Sequence, residues 1–257
     1  MNRPDIDEQL SKDYLGQIMG ILERIRSEEG NNIGTAADLL ASQIAKDELI
    51  HIYGPGGHSN LASQEVFFRA GGLMHVSAIL DEGTLLSSGA LRSMAMERTP
   101  GYGRIVIEDA GIGAGDVLVL VNAYGINSAL IDAALTAREK SVVTIGVSSR
   151  SHADQTASDH PARHPQKLNL HDVVDHHIDT KVPIGDAVME VPGSQEKTAA
   201  VSTFANAFTL NWLMMSTIAR LTETGIAPPL WRSGNAPGGD AANQQFISRF
   251  KGRVRNL

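Results

Sequence analysis

The chain has 257 residues, no cysteine and a formal net charge of −7 at pH 7. Its length permits one large α/β domain or two small ones. The negative charge argues against a nucleic-acid surface, which needs clustered Lys and Arg, and the lack of cysteine excludes disulfides and thiol catalysis. The N-terminus is acidic and polar without a signal-peptide pattern, and the apolar runs are too short to span a bilayer. We therefore expect a cytoplasmic protein that contacts neither membrane nor nucleic acid.

Helices and strands alternate along most of the sequence. Apolar side chains at helical spacing predict two N-terminal helices, at residues 7–29 and 33–47. Continuous apolar runs predict strands at 49–53, 74–80, 116–121, 142–147 and 173–178. Further helices are predicted at 59–70, 83–97, 127–139, 151–158 and 197–223. This alternation predicts an α/β fold with a doubly wound parallel sheet of five strands, flanked by helices.

We expect a single domain over residues 1–257. Its predicted parts are N-terminal helices at 1–48, a sheet core at 49–225 and an irregular C-terminal tail at 226–257, where glycine and proline are frequent. Basic residues between 249 and 255 are interpreted as a solvated helix end rather than a binding patch.

A glycine-rich turn follows the first predicted strand. The strand Ile50–Tyr53 stops at Gly54–Gly57, and His58 and Ser59 then open an amphipathic helix. The first N–H groups of a helix have no partner inside it, and together with the helix dipole they favour an anion such as phosphate. The turn has neither the Gly-Lys-Ser/Thr of a Walker loop nor the third glycine of a dinucleotide-binding turn. A plain connecting turn is the alternative.

Two further strand ends carry amide or hydroxyl groups. Residues 122–128 follow the strand at 116–121, and Ser148–Ser151 ends the strand at 142–147. Open parallel sheets bind ligands beyond the carboxyl ends of their strands, so we expect these loops and the turn to share one site. The residues predicted to bind the substrate there are Gly56, Gly57, Ser59, Asn122, Tyr124, Gly125, Asn127, Ser128 and Ser148.

These motifs resemble the sugar isomerase (SIS) family over residues 35–225. The resemblance rests on the turn Gly54–Ser59, on Gly115–Leu118 at the start of the next strand and on the loop Asn122–Ser128. It implies a five-stranded parallel sheet, a phosphosugar ligand, assembly as dimers or tetramers, and a role as isomerase, lyase or sensor. Two later motifs resemble a single-domain branch similar to phosphoheptose isomerases and muramate-phosphate etherases: Gly185–Ala187 and Ser202-Thr203.

The second loop departs from the family pattern. That pattern is usually Ser-x-Ser-Gly-x-Thr, whose hydroxyls hold the phosphate, whereas this chain has Asn122, Tyr124, Gly125 and Asn127, with a hydroxyl only at Ser128. Amides and a phenol still donate hydrogen bonds, but they form a poorer phosphate cradle. The sequence therefore leaves open a ligand that is a sugar without phosphate or with another substituent. A packing role explains Tyr124 equally well.

Family isomerases carry a catalytic glutamate on the helix after the turn, and Glu65 stands at that position. A carboxylate base can move a proton between neighbouring carbons through an enediol. The alternative for Glu65 is an ion pair with Arg69, four residues on. His58 is the second predicted catalytic residue, for ring opening or as a general acid, because imidazole changes charge near neutral pH. A hydrogen bond to a carbonyl group is its alternative.

Two features of family enzymes are missing here. Heptose-phosphate isomerases take a second catalytic histidine from the long C-terminal helix, but residues 197–223 contain none. Some also bind zinc through a histidine four residues before the glutamate, where this chain has Leu61. We therefore predict no metal and no other cofactor.

Several charged residues lie outside these motifs. Histidines between 152 and 171 share a polar segment, but their spacing matches no metal motif and fits a solvated loop better. Within it, Arg163 and His164 are predicted to fold over the sugar as a lid. Glu97 is interpreted as a local ion pair with Arg98, and the alternative is that it reaches the site of a neighbouring subunit.

The predicted function is the binding of a sugar phosphate and its aldose–ketose isomerisation. A lyase or etherase that acts by β-elimination is an alternative, because it starts from the same proton abstraction. The other alternative is a non-catalytic sensor of a carbohydrate derivative. A homodimer or homotetramer is expected, with the N-terminal helices and the tail around Trp231, Asn235 and Asp240 at its interface.

Overall fold

The predicted α/β fold with a five-stranded parallel sheet flanked by helices is confirmed by the computed structural model, which describes residues 3–257, with side chains from residue 5 onward. The spatial order is β2-β1-β3-β4-β5, and neighbouring strands run parallel. Because the order reverses between β1 and β3, the topological switch point lies at the carboxyl ends of these two strands. The strands are β1 (Ile50–Tyr53), β2 (Val76–Ile79), β3 (Val117–Val121), β4 (Val143–Ser148) and β5 (His176–Asp179).

Helices cover both faces of the sheet. They are α1 (Arg3–Glu28), α2 (Gly30–Ala45), α3 (Gly57–Val66), α4 (Ala90–Glu97), α5 (Tyr102–Ala110), α6 (Ser128–Glu139), α7 (Arg150–Gln155), α8 (Leu170–Val173), α9 (Ser202–Glu223) and α10 (Gly239–Phe250). Within residues 3–257, no helix combines the length and the apolar character needed to cross a membrane.

The sheet is buried on both faces because its strands are apolar throughout, and every residue of β3 is buried. Successive side chains along a strand point to opposite faces. Val119 therefore packs with α2 and α9, in a cluster with Leu40 and Leu213. Leu118 belongs to the cluster on the other face, where Leu130 of α6 also packs. These two cores fix the positions of the loops at the carboxyl ends of the strands.

Two helix predictions were wrong in part. The predicted helix at 83–97 is divided, because Gly89 has φ of 109° between a short 3₁₀ turn at Leu86–Ser88 and α4. The predicted start of α9 at residue 197 is wrong, because β7 (Thr198–Ala200) pairs there with β6 (Ala187–Met189) in an antiparallel hairpin. Helices α5 and α8 were missed.

The C-terminal tail is more ordered than predicted. Trp231 is 4% exposed and packs with Met74 and Phe250, so it supports this chain's own core. The basic run begins in the last turn of α10 and is exposed, as predicted for a solvated helix end, but it also pairs with acidic groups: Arg249, whose side chain is 42% exposed, donates a hydrogen bond of 2.6 Å to Asp47. A second pair joins the tail to the end of α5: Arg255 and Asp109.

Candidate active site

The glycine-rich turn lies at the switch point, between the end of β1 and the start of α3. A Cβ atom at Gly54 would lie 2.3 Å from the Ser59 carbonyl oxygen, so the turn closes only with glycine there. Gly56 has φ of 94°, a backbone conformation that residues other than glycine rarely adopt. The helix α3 has no side-chain cap, which leaves its first N–H groups available to an anion.

Asn122, at the end of β3, connects the second loop to this turn. Its Nδ2 lies 3.1 Å from the Pro55 carbonyl oxygen and 3.1 Å from the Ser59 hydroxyl. Its Oδ1 accepts hydrogen bonds of 3.0 Å from the backbone nitrogens of Tyr124 and Gly125. The amide that replaces a hydroxyl of the family pattern therefore holds two loops in a fixed arrangement.

Glu97, at the end of α4, reaches the same turn. Its Oε1 accepts a hydrogen bond of 3.2 Å from Asn122, and a Cβ at Gly56 would lie 2.8 Å from its carboxyl oxygens. Burial raises the pKa of Glu97 to about 7. The interpretation of Glu97 as a local ion pair with Arg98 is therefore wrong. A carboxyl group with such a pKa can give or take a proton near neutral pH.

A small cavity of about 110 Å³ opens at the turn. Glu97 lies in its wall, and Tyr124 also contributes to the neighbouring cleft. The structure thus brings together at this cavity six of the thirteen predicted catalytic and binding residues. Those that line this cavity are Gly56, Gly57, His58, Ser59, Asn122 and Tyr124.

A larger cleft of about 550 Å³ lies beside the small cavity and shares Glu97 and Tyr124 with it. The Tyr124 ring stacks on His152 with a centroid distance of 3.9 Å and an interplanar angle of 22°. Burial lowers the pKa of His152, so its ring is neutral near pH 7. Asn127, a predicted binding residue, also lines this cleft.

Asp186 and Ser202 line the small cavity but were not predicted as site residues. The Asp186 carboxylate accepts hydrogen bonds of 2.9 Å from the Val201 nitrogen, 2.7 Å from the Ser202 nitrogen and 2.6 Å from the Ser202 hydroxyl. It therefore caps the start of α9 and holds the segment before β6 against the cavity. The sequence signal was present, because both residues belong to the motifs Gly185–Ala187 and Ser202-Thr203.

Glu65, the predicted base, lines neither cavity. Its Oε1 lies 3.3 Å from Arg69 Nε and 3.5 Å from Asn211 Nδ2 on α9, and its side chain is 32% exposed. The structure thus contains the ion pair with Arg69 that the sequence offered as the alternative. The catalytic role of Glu65 stays a prediction.

Three predicted binding residues lie beneath the loops, outside the cavities, and support the loop backbone. Gly125 has φ of 70°, and a Cβ there would lie 2.6 Å from the Ser148 hydroxyl. That hydroxyl lies 3.0 Å from Nε2 of His177, whose pKa burial lowers to about 3. Ser128 starts α6 and is buried. None of the three predicted residues lines either cavity.

Arg163 and His164 are held in place by their own loop and by α6. The Arg163 guanidinium donates a hydrogen bond of 2.7 Å to Asn169 Oδ1, and it also donates to the backbone carbonyl groups of residues 153, 156 and 157. His164 is 5% exposed, and its Nε2 lies 3.1 Å from Asp132 Oδ1. Neither residue lines a cavity, although Arg163 holds the carbonyl groups of two residues that line the large cleft, so the predicted lid role has no support in their contacts.

No metal site is evident in the part of the chain that the structure describes, since no three His, Asp or Glu side chains there converge as metal ligands would. The histidines of the polar segment make separate contacts instead. One example is His171 Nε2, which lies 3.0 Å from Asp154 Oδ1.

Known proteins share this arrangement of helices and strands. A phosphoheptose isomerase from Neisseria gonorrhoeae has a TM-score of 0.54 at 14% identity, covering 81% of this chain and 97% of that one. The sugar isomerase domain of an RpiR transcription factor from Sphaerobacter thermophilus has a TM-score of 0.50 at 13% identity, covering 94% and 99%. Both share the fold.

Sequence similarity is more extensive among UPF0309 proteins. One from Halalkalibacterium halodurans is 34% identical over 241 residues, which are 94% of each chain. The family model of the SIS domain matches residues 13–149, more than half of the chain. The fold, the glycine-rich turn at its switch point and these matches agree: the chain belongs to the SIS domain family.

Proposed function

We propose that this protein binds a sugar phosphate in the two cavities and isomerises it between aldose and ketose forms. The observation that carries the proposal is the partly buried Glu97 carboxyl, with a pKa of about 7, beside the uncapped start of α3. An anion-binding helix start and a proton-transfer group thus lie within one cavity. The phosphoheptose isomerase with the same fold is consistent with this chemistry.

In the proposed complex, the phosphate lies at the turn. The backbone N–H groups at the start of α3 bind its oxygens, and the Ser59 hydroxyl donates to the same group. Asn122 holds the turn in shape through the contacts described above. Glu97 lies against Gly56 at this turn, and with a pKa of about 7 a large share of its carboxyl groups is ionised near neutral pH.

The proposed reaction is a proton transfer between neighbouring carbons. Ionised Glu97 takes the proton from the carbon next to the carbonyl group, and the C–H electron pair forms the double bond of an enediol. His58 protonates the carbonyl oxygen. Glu97 then returns its proton to the former carbonyl carbon, while His58 takes the hydroxyl proton from the adjacent oxygen. Both residues thus recover their starting protonation states, and the product is an isomer of the substrate. This assigns to Glu97 the base role that the sequence suggested for Glu65.

The test compares two matched variants, Glu97→Gln and Glu65→Gln, with aldose and ketose phosphates of five to seven carbons. We expect Glu97→Gln to lower kcat by about a hundredfold or more while keeping sugar-phosphate affinity, because general acid–base catalysis contributes about that much. Glu65→Gln is expected to retain most activity. The reverse result would return the base role to Glu65 and place the reaction outside these cavities.

Product analysis separates the remaining alternatives. Release of an unsaturated sugar and a leaving group would identify a lyase or etherase that uses the same base. Binding without turnover in the wild-type protein would identify a sensor. Cytoplasmic location, the single-domain organisation and assembly as a homodimer or homotetramer stay predictions.

A further inference from the structure

The larger cleft extends well beyond what a phosphate and a sugar ring require. Its volume of about 550 Å³ lies in the range of about 300–1,000 Å³ that holds drug-sized ligands, and the small cavity at the turn adds room for the phosphate. Both cavities share Glu97 and Tyr124, so one ligand can occupy them together. A ligand with its phosphate at the turn would therefore direct a further part into the cleft.

The wall of the cleft away from Glu97 is mainly apolar. Two of its side chains, Ile184 and Met94, are 54% and 41% exposed, although both are large and apolar. Ile126 and Ala162 form the buried part of the same wall. Exposed apolar side chains around a cleft are typical of a surface that a ligand covers.

The aromatic part of the wall is uncharged. The Tyr124 phenol and the neutral His152 ring stack face to face and both line the cleft. Arg98 is the one Arg or Lys among the lining residues, and it is exposed. A nucleotide would bring a second phosphate, for which this wall offers few cations. The wall therefore favours a neutral group.

One polar group in this wall lacks a partner. Asn127 is 4% exposed, and its Oδ1 has no hydrogen-bond partner among the described residues. Its Nδ2 makes a long contact of 3.4 Å with the Ala162 carbonyl oxygen. A buried acceptor without a partner is costly, and the terminal torsion of asparagine turns easily. Because Oδ1 itself is buried here, that torsion must first turn it towards the cleft, where an N–H group on a ligand would then satisfy it.

We propose that the large cleft binds an N-acyl group on the sugar, so that the preferred ligands are phosphates of N-acylated amino sugars rather than of plain sugars. The amide N–H would donate to Asn127 Oδ1, and the acyl carbons would pack on Ile184 and Ile126. The inference rests on the proposed function, because it places the phosphate at the turn. It goes further by naming the substituent that distinguishes the ligand. A 2-acylamino sugar has no hydroxyl on carbon 2 that could become a ketone, so with this ligand the proton abstraction leads to the β-elimination named above: the C–H electron pair forms a double bond between carbons 2 and 3, and the substituent on carbon 3 leaves.

The test is a set of dissociation constants measured by calorimetry. The ligands are the 6-phosphates of glucose, glucosamine and N-acetylglucosamine, and of mannose, mannosamine and N-acetylmannosamine. In at least one of these two series, we expect the N-acetyl compound to bind about tenfold or more tightly than its parent sugar phosphate and the free amine, from burial of the acyl carbons and the new hydrogen bond.

Two variants locate the effect. Ile184→Ser removes an apolar contact in the cleft, and Ile105→Ser is its control, since Ile105 is 62% exposed on α5 and lines neither cavity. We expect Ile184→Ser to lose most of the preference for the N-acetyl compound, with little change for the parent sugar phosphate. Ile105→Ser is expected to match the wild type. Ala157→Trp, which fills the cleft from an exposed position, should abolish the preference.

Equal affinity for the parent and N-acetyl compounds in both series would overturn this inference and leave the proposed function intact. A preference that survives in both Ile184→Ser and Ala157→Trp would also overturn it, because the acyl group would then lie elsewhere. If none of these sugar phosphates binds, both the proposed function and this inference fail.

Discussion

Replacing Glu97 with glutamine is expected to stabilise the protein above neutral pH. Burial raises the pKa of Glu97 from an ordinary value of 4.5 to about 7. Between these values the folded protein holds a proton that the unfolded chain has released, so stability falls as the pH rises from about 4.5 to about 7. Glutamine carries no such proton and escapes this loss, while its side-chain oxygen can still accept the hydrogen bond from Asn122.

The size of the effect follows from the pKa difference. About 2.5 pKa units correspond to about 3 kcal/mol in the free energy of unfolding, fully developed by pH 8 and absent at about pH 4. For a chain of this size, about 3 kcal/mol raises the melting temperature by about 6–12 °C. We therefore expect Glu97→Gln to melt well above the wild type at pH 8 and close to it at low pH.

The assay is thermal unfolding of both proteins from pH 4 to pH 8.5 at constant ionic strength. Glu65→Gln serves as the control, because it removes one negative charge at a partly exposed position. Parallel pH curves for wild type and Glu97→Gln would refute the argument from burial. Equal stabilisation in Glu65→Gln would instead point to relief of the overall charge of −7.

Three further predictions concern single contacts. Gly56→Ala should destabilise the protein by about 1–3 kcal/mol and abolish sugar-phosphate binding, because an alanine would be strained at that positive φ. The control is Gly113→Ala, where a Cβ meets no atom within 4 Å, and melting and calorimetric measurements should show neither effect. Asp186→Ala should cost about 1–3 kcal/mol in urea unfolding, through loss of the α9 cap. Arg249→Ala should cost about 0.5–1 kcal/mol in urea at pH 7, because Asp47 is partly exposed. The difference in the free energy of unfolding between wild type and Arg249→Ala should vanish near pH 2. Arg249 lowers the pKa of Asp47 to about 2, and the stabilisation by the ion pair is lost as the pH falls through that value.

The sheet and the turn were predictable because their signals are local. Apolar runs such as Val117–Val121 identify buried strands without reference to the rest of the chain. Gly54 and Gly56 mark a sharp turn, and the helix that follows supplies the anion site. The strand order then brings this turn next to Asn122, because parallel strands end at the same edge of the sheet.

Glu97 was not predictable in the same way. Its neighbour in sequence is Arg98, and a charged pair at the end of a helix usually lies in solvent. Only the packing of α4 beside the turn shows that the carboxyl is buried against Gly56. Burial of a charge depends on contacts that are distant in sequence, so residue type and spacing do not reveal it.

Asn122 explains why the altered second loop does not by itself exclude a phosphate. A hydroxyl at this position could bind an anion directly, whereas the Asn122 amide is already engaged with Pro55, Ser59 and the backbone of its own loop. Asn122 therefore fixes the position of the turn relative to Glu97, and the backbone at the start of α3 is left to bind the anion. Glu97 then acts as the base only while it is ionised, and its pKa of about 7 sets the pH range in which the bound sugar can react.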